Sequence, residues 1–209
     1  MHPDSAHEVR DHWYWRPGWQ IGRRFYTWHI TFADQSDVVD LAARYEPLIS
    51  RLDGVDPVPA EWLHLTMQGI GFIDEVEKDD VDRIVQAARS YCKEIGPLAL
   101  HIGPAHVDPE AVMMSVSPAD EVRRLRLAIR RSIAAVWGEH NVPEAESPFT
   151  PHVSLAYTNA AGSAKPILDA LDSFPPASAD TSIRSCQLIV LNRDNKMYEW
   201  DVYADVPLS

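Results

Sequence analysis

The chain has 209 residues, 45 % of them hydrophobic and 24 % charged, with a formal net charge of −12 at pH 7. That length suits one domain with a substantial core, and no apolar run nears the roughly 20 residues of a membrane helix, so no membrane partner is expected. The acidic balance argues against a surface gripping long nucleic acid through many phosphate contacts, and leaves a small or local phosphate ligand open.

The N-terminal MHPDSAHEVRDHWYW has no basic region followed by an apolar stretch, so no secretory signal is read and a cytoplasmic protein is expected. Residues 1–24 read as an arm. Trp13, Tyr14, Trp15 and Trp19 gather there around a Pro-Gly turn. So many aromatics are costly in water, which favours packing on the body as a hydrophobic latch over a base-stacking role. The only cysteines, Cys92 and Cys186, read as buried free thiols.

From residue 25 the chain alternates strands and helices in a two-lobed plan, taken as one domain over 25–209. FYTWHITF, Phe25 to Phe32, is rich in aromatic and β-branched residues and reads as a strand. Alternation puts Tyr26, Trp28, Ile30 and Phe32 on a core face. Thr27, His29 and Thr31 share the other, where His29 is a candidate groove residue, the alternative being a structural histidine. Val38, Leu41, Tyr45, Leu48 and Leu52 step as an amphipathic helix from Ser36 to Leu52, ended by Gly54. A proline-containing loop, GVDPVPAE, leads into a strand from Trp62 to Phe72.

A second helix, Glu77 to Ile95, stops at Gly96-Pro97. Pro97–Gly103 and Ala111–Val116 read as strands about a turn at Asp108-Pro109. Ser117-Pro118-Ala119-Asp120 reads as a helix start with a hydroxyl cap and proline at the first helical position. Five arginines, Arg123, Arg124, Arg126, Arg130 and Arg131, sit on that helix and read as a solvated face. The loop HNVPEAESPFTP leads to a strand from His152 to Tyr157. A short helix, Ala164 to Phe174, and a hairpin of Ser182–Asn192 with Lys196–Asp205 complete the pattern.

The two lobes therefore share strand, helix, proline loop and strand, and each final strand opens on the same four-residue pattern. These are His64-Leu65-Thr66-Met67 and His152-Val153-Ser154-Leu155. A period of two puts each histidine beside its hydroxyl on one face and the apolar pair on the other. Either pattern alone is short and built of common residue types; the repeated setting is what points to a site. Two histidines on opposite sides of a phosphorus centre can act as base and acid in one displacement, with hydroxyls donating to nonbridging oxygens. That chemistry needs no metal, and no cofactor is expected.

In this order and setting the paired motifs resemble those of the two-histidine (2H) phosphoesterase superfamily, the LigT-like or 2'-5' RNA ligase-like proteins. The resemblance runs from Phe25 to about Asp205. It implies a bilobal α+β fold with pseudo-two-fold symmetry, two antiparallel sheets lining a central groove and helices outside. It also implies metal-independent action on 2',3'-cyclic phosphates or 2'-5' linkages of nucleotide or RNA-end substrates. His64 and His152 take the acid and base roles, and Thr66 and Ser154 the phosphate-binding roles. Many relatives carry a basic residue shortly after the second motif where Ala156-Tyr157 stands here, so Tyr157, with His29 and Gln68, is a candidate substrate contact. A monomer is expected. Alternatives are a binding module that lost turnover, a reversible 2'-5' RNA ligase, and a metal hydrolase, the last weakened because the motif neighbours Leu65, Met67, Val153 and Leu155 supply no carboxylate or thiolate.

Overall fold

In the computed structural model, which describes residues 7–209, the elements run β1 (Glu8–Val9), β2 (Phe25–Thr31), α1 (Ser36–Ile49), β3 (Val55–Pro57), β4 (His64–Phe72) and α2 (Lys78–Lys93). There follow β5 (Leu98–Asp108), β6 (Ala111–Ser117), α3 (Ala119–Trp137), β7 (His152–Thr158), β8 (Gly162–Ser163) and α4 (Lys165–Asp172). The last are β9 (Ala179–Ile183), β10 (Ser185–Asn192) and β11 (Glu199–Pro207). All pairings are antiparallel. One sheet has the order β11-β10-β2-β4, a second β3-β7-β6-β5-β9, and β1 pairs with β8.

This is the expected α+β fold, with β2 beside β4 in one sheet and β6 beside β7 in the other. The expected core face of β2 is buried at Tyr26, Trp28, Ile30 and Phe32. Its opposite face is buried too at Thr27 and His29, because β2 lies between the core and the groove. The two cysteines are free and buried, as expected.

The lobes are less self-contained than the repeated order suggests. Helix α1 follows β2 of the first sheet yet packs on β9, β3 and β7 of the second. Its Tyr45 hydroxyl donates to the Ala177 carbonyl just before β9. Helix α3 follows β6 of the second sheet and contacts β4 of the first, lying against α2. Each half thus braces the other, so the two motif strands are fixed in one common body.

Four local expectations change. Residues 55–57 of the proline loop pair with β7, since Val55 is buried and a strand edge was open to it. The single strand expected over Ser182–Asn192 is two, with Arg184 between β9 in the second sheet and β10 in the first. Pro118 stands at the cap of α3 rather than at its first helical residue, and Ser117 belongs to β6 with no side-chain cap bond. Helix α1 ends at Ile49, five residues before Gly54, whose φ of 78° serves the turn into β3.

The described part of the arm crosses both sheets. Trp13 is buried against Tyr157 and Tyr198, and its Nε1 donates to Asp56 Oδ2 at 2.8 Å. Trp19 packs on Phe25 and Phe72. Trp13 and Trp19 thus latch the arm to the body, with backbone bonds from Arg10 N to the Pro109 carbonyl and from His12 N to the Thr158 carbonyl, whereas Tyr14 and Trp15, expected to pack with them, are 47 % and 51 % exposed. Residues 1–6 of the expected arm lie outside the described residues.

Candidate active site

His64 and His152 are held alike. His64 Nδ1 lies 2.7 Å from the Trp62 carbonyl, and His152 Nδ1 lies 2.9 Å from the Thr150 carbonyl. A carbonyl only accepts, so each Nδ1 carries a proton and donates it, which leaves each Nε2 to take or give a proton in the groove. Both rings line one cavity of about 1120 Å³ between the two sheets, together with Thr66, Ser154, His29 and Tyr157. That is ample for a nucleotide-sized ligand. His64 is buried, and burial pushes its pKa down to about 4; the backbone bond to Trp62 works against that shift, and the nearby His152 adds to it. His64 is therefore neutral near pH 7 and available as a base.

Both motif strands bulge at the same place. In β4, His29 faces Thr66 and Trp28 faces Gln68, so Met67 is the extra residue. In β7, Met113 faces Ser154 and Val112 faces Ala156, so Leu155 is extra. A bulge re-aims every side chain beyond it. In β7 it turns Tyr157, instead of Ala156, onto the groove face beside Ala111. In β4 it turns Gln68 away.

Gln68 is accordingly a correction: it does not line the cavity. Fully buried behind the sheet, it accepts from Arg130 Nη1 and donates from Nε2 to the Pro143 carbonyl, both at 2.7 Å. The solvated arginine face is corrected in part as well. Arg123, Arg124 and Arg131 are exposed, whereas Arg126 is 5 % exposed. Its guanidinium donates to the carbonyls of Met67, Ala145 and Glu146 and so ties the loop before β7 to the first motif strand.

His29 does reach the groove wall. Its ring stacks on that of His64, and its Nε2 is 3.4 Å from Thr66 Oγ1. Burial, followed by the proximity of His64, holds its pKa well below 6.5. With the His29 proton on Nε2, that nitrogen donates to Thr66 and the hydroxyl proton of Thr66 is left for a ligand oxygen. Tyr157 lies on the groove floor under His12, the two rings stacked 4.2 Å apart, and burial raises its pKa, so its hydroxyl stays protonated.

A sequence model of the 2'-5' RNA ligase superfamily matches residues 37–195, a span that includes both histidine motifs. The chain belongs to the 2'-5' RNA ligase superfamily. As a superfamily member it shares its fold with TT0787 of Thermus thermophilus (TM-score 0.67, 18 % identity, covering 89 % of this chain and 97 % of that one). It is similarly close to E. coli LigT (TM-score 0.64, 14 % identity, covering 90 % and 98 %). E. coli LigT has also been crystallised with 3'-AMP, and that structure matches with a TM-score of 0.63 at 14 % identity, covering 90 % and 98 %. No curated protein matches the chain significantly in sequence.

Beyond the motifs, the superfamily fold here gains groove residues that sequence reasoning missed: His12, Arg16 and Trp19 from the arm, and Arg193 and Tyr198 from the β10–β11 turn. No periodicity marks them, since irregular segments bring them in from opposite ends of the chain. Among the described residues no group of three His, Cys, Asp or Glu side chains is placed to hold a metal ion.

Proposed function

We propose that the protein is a phosphodiesterase that opens 2',3'-cyclic phosphates or cleaves 2'-5' linkages of nucleotide and RNA-end substrates by two-histidine acid–base catalysis. The observation that carries this is the matched anchoring of His64 and His152, each with Nδ1 tied to the carbonyl two residues before it and Nε2 free in a shared groove. His64, held neutral by burial, takes the proton of the attacking water or hydroxyl. His152, entering the step as the imidazolium with Nδ1 bonded to the Thr150 carbonyl, gives its Nε2 proton to the departing ribose oxygen. An anionic phosphate bound between the rings raises the proton affinity of His64 as it acts, by simple charge attraction.

Thr66 and Ser154 donate to the nonbridging oxygens as charge builds on them. For ring opening, the water oxygen bonds to phosphorus as one P–O(ribose) bond breaks, the water proton goes to His64, and the product is a nucleoside monophosphate. The crystallisation of LigT with 3'-AMP supports a groove suited to such a phosphate. Protein treated with EDTA and given 2',3'-cyclic AMP or a 2'-5' diadenylate should turn over at least one of them. Absence of turnover on both, or its abolition by EDTA, contradicts the proposal.

A further inference from the structure

Arg193 is 4 % exposed, yet among the described residues no carboxylate lies within 4 Å of its guanidinium. Rings of Trp13, Trp19 and Tyr198 stand 5.3 to 5.7 Å from its central carbon, and Nη2 donates to the His12 carbonyl at 2.9 Å. Those contacts account for its latch role. They leave Nε and Nη1 buried and without a partner, in a residue that lines the groove. A buried cation with unmet donors is costly unless a ligand completes it.

Arg16, from the arm, lines the same cavity, close enough for its charge to disfavour that of Arg193. Its Nη2 is paired with Glu110 at 2.6 Å, but its Nε is also buried and unpaired. Glu110, which also borders the cavity, is shared with Arg10 at 2.8 Å, and its Oε2 lies 3.2 Å from Nδ1 of His12. Burial, then Arg16 and Arg193, push the His12 pKa down to about 3, so His12 is neutral and draws no charge from Glu110. The cluster thus holds more cation than carboxylate, inside a chain of net charge −12.

We propose that Arg16 and Arg193 form a second phosphate subsite at the arm end of the groove, so that the preferred substrate carries another phosphate about one sugar removed from the reacting one. Tyr198 sets that separation: its ring lies 5.9 Å from the His64 ring on one side and beside Arg193 on the other. The paired N–H edge of a guanidinium matches two phosphate oxygens. The subsite rests on the phosphodiesterase reading for the identity of the anion. Its phosphate is either a terminal 5'-phosphate or the phosphodiester of a preceding nucleotide.

Calorimetry on the whole chain separates these cases without turnover, using 3'-AMP, adenosine 3',5'-bisphosphate, and ApAp with a free 5' end. The bisphosphate or ApAp should bind roughly ten- to a hundredfold more tightly than 3'-AMP, the usual worth of charge-assisted bonds to one phosphate. Whichever wins identifies the source of the phosphate. Arg193→Gln and Arg16→Gln should each shrink that ratio, while Arg131→Gln, the same charge change on the exposed face of α3, should not. Equal binding of all three ligands by the unsubstituted protein overturns the subsite whether or not any variant folds, and so does a ratio untouched by both groove substitutions. Turnover of 2',3'-cyclic AMP with equal binding removes the subsite alone. A preserved ratio without turnover removes the hydrolytic function and leaves the subsite.

Discussion

The imidazole of His29 lies flat on that of His64, with centroids 4.3 Å apart and planes 5° from parallel. The stack seals one face of His64 from water, and burial is the leading cause of its lowered pKa. His29→Ala opens that face, so the acidic limb of kcat/KM should move up from about 4 toward 6.5, with a loss of activity. His29→Phe keeps a ring there and should leave the limb low. A pH–rate profile of the two variants checks this, and an unmoved limb in His29→Ala contradicts it.

Three histidines are held neutral: His12 at about 3, His64 at about 4, and His29 well below 6.5. Below pH 6.5 the unfolded chain takes up protons that the native protein refuses, so the unfolded state binds more protons and stability falls as pH falls. Each group contributes a slope of about 1.4 kcal/mol per pH unit at most, between pH 6.5 and its native value. Tm should therefore drop between pH 7 and 5, above the range where carboxylates protonate. His29→Phe should reduce that slope, and an unchanged slope counts against a buried neutral His29.

Thr66 is exposed to the groove and Ser154 is buried in its wall. Donors that strengthen toward the transition state act on kcat more than on KM. Thr66→Val and Ser154→Ala should each lower kcat by about 10²-fold, the usual effect of removing one such donor, with little change in KM. A rise in KM at constant kcat assigns these hydroxyls to ground-state binding instead.

Arg126 ties Met67 of the first motif to Ala145 and Glu146, which lead to the second. Arg126→Leu leaves the buried Met67 carbonyl and two partly exposed loop carbonyls without this donor and should cost roughly 1–3 kcal/mol in urea unfolding. Gln68→Ala should also destabilise, while leaving substrate preference unchanged. A shift in preference without a stability loss returns Gln68 to the groove.

Much of this site was legible because its parts are local. His64 with Thr66 and His152 with Ser154 share a face through simple strand alternation, and the β2 pattern already turned His29 toward them. Alternation breaks at Met67 and Leu155, so the simple period of two puts Gln68 in the groove wrongly, and Tyr157 owes its groove position to a bulge. Arg193 and Arg16 were illegible for another reason. One sits in a turn and the other in an irregular arm, and only tertiary packing makes them neighbours. Helix α1 behind the second sheet is likewise a matter of crossing chains that no local pattern encodes.

The central claim is that His64 and His152 act as one unit on one phosphorus. Single-turnover opening of 2',3'-cyclic AMP should be measured for His64→Ala, His152→Ala and the double variant, each checked for folding by circular dichroism. Each single change should slow the step by about 10²- to 10⁴-fold, and the double variant should be hardly slower than the worse single one. Full activity in either single variant, or a double loss equal to the product of the two, would contradict the account.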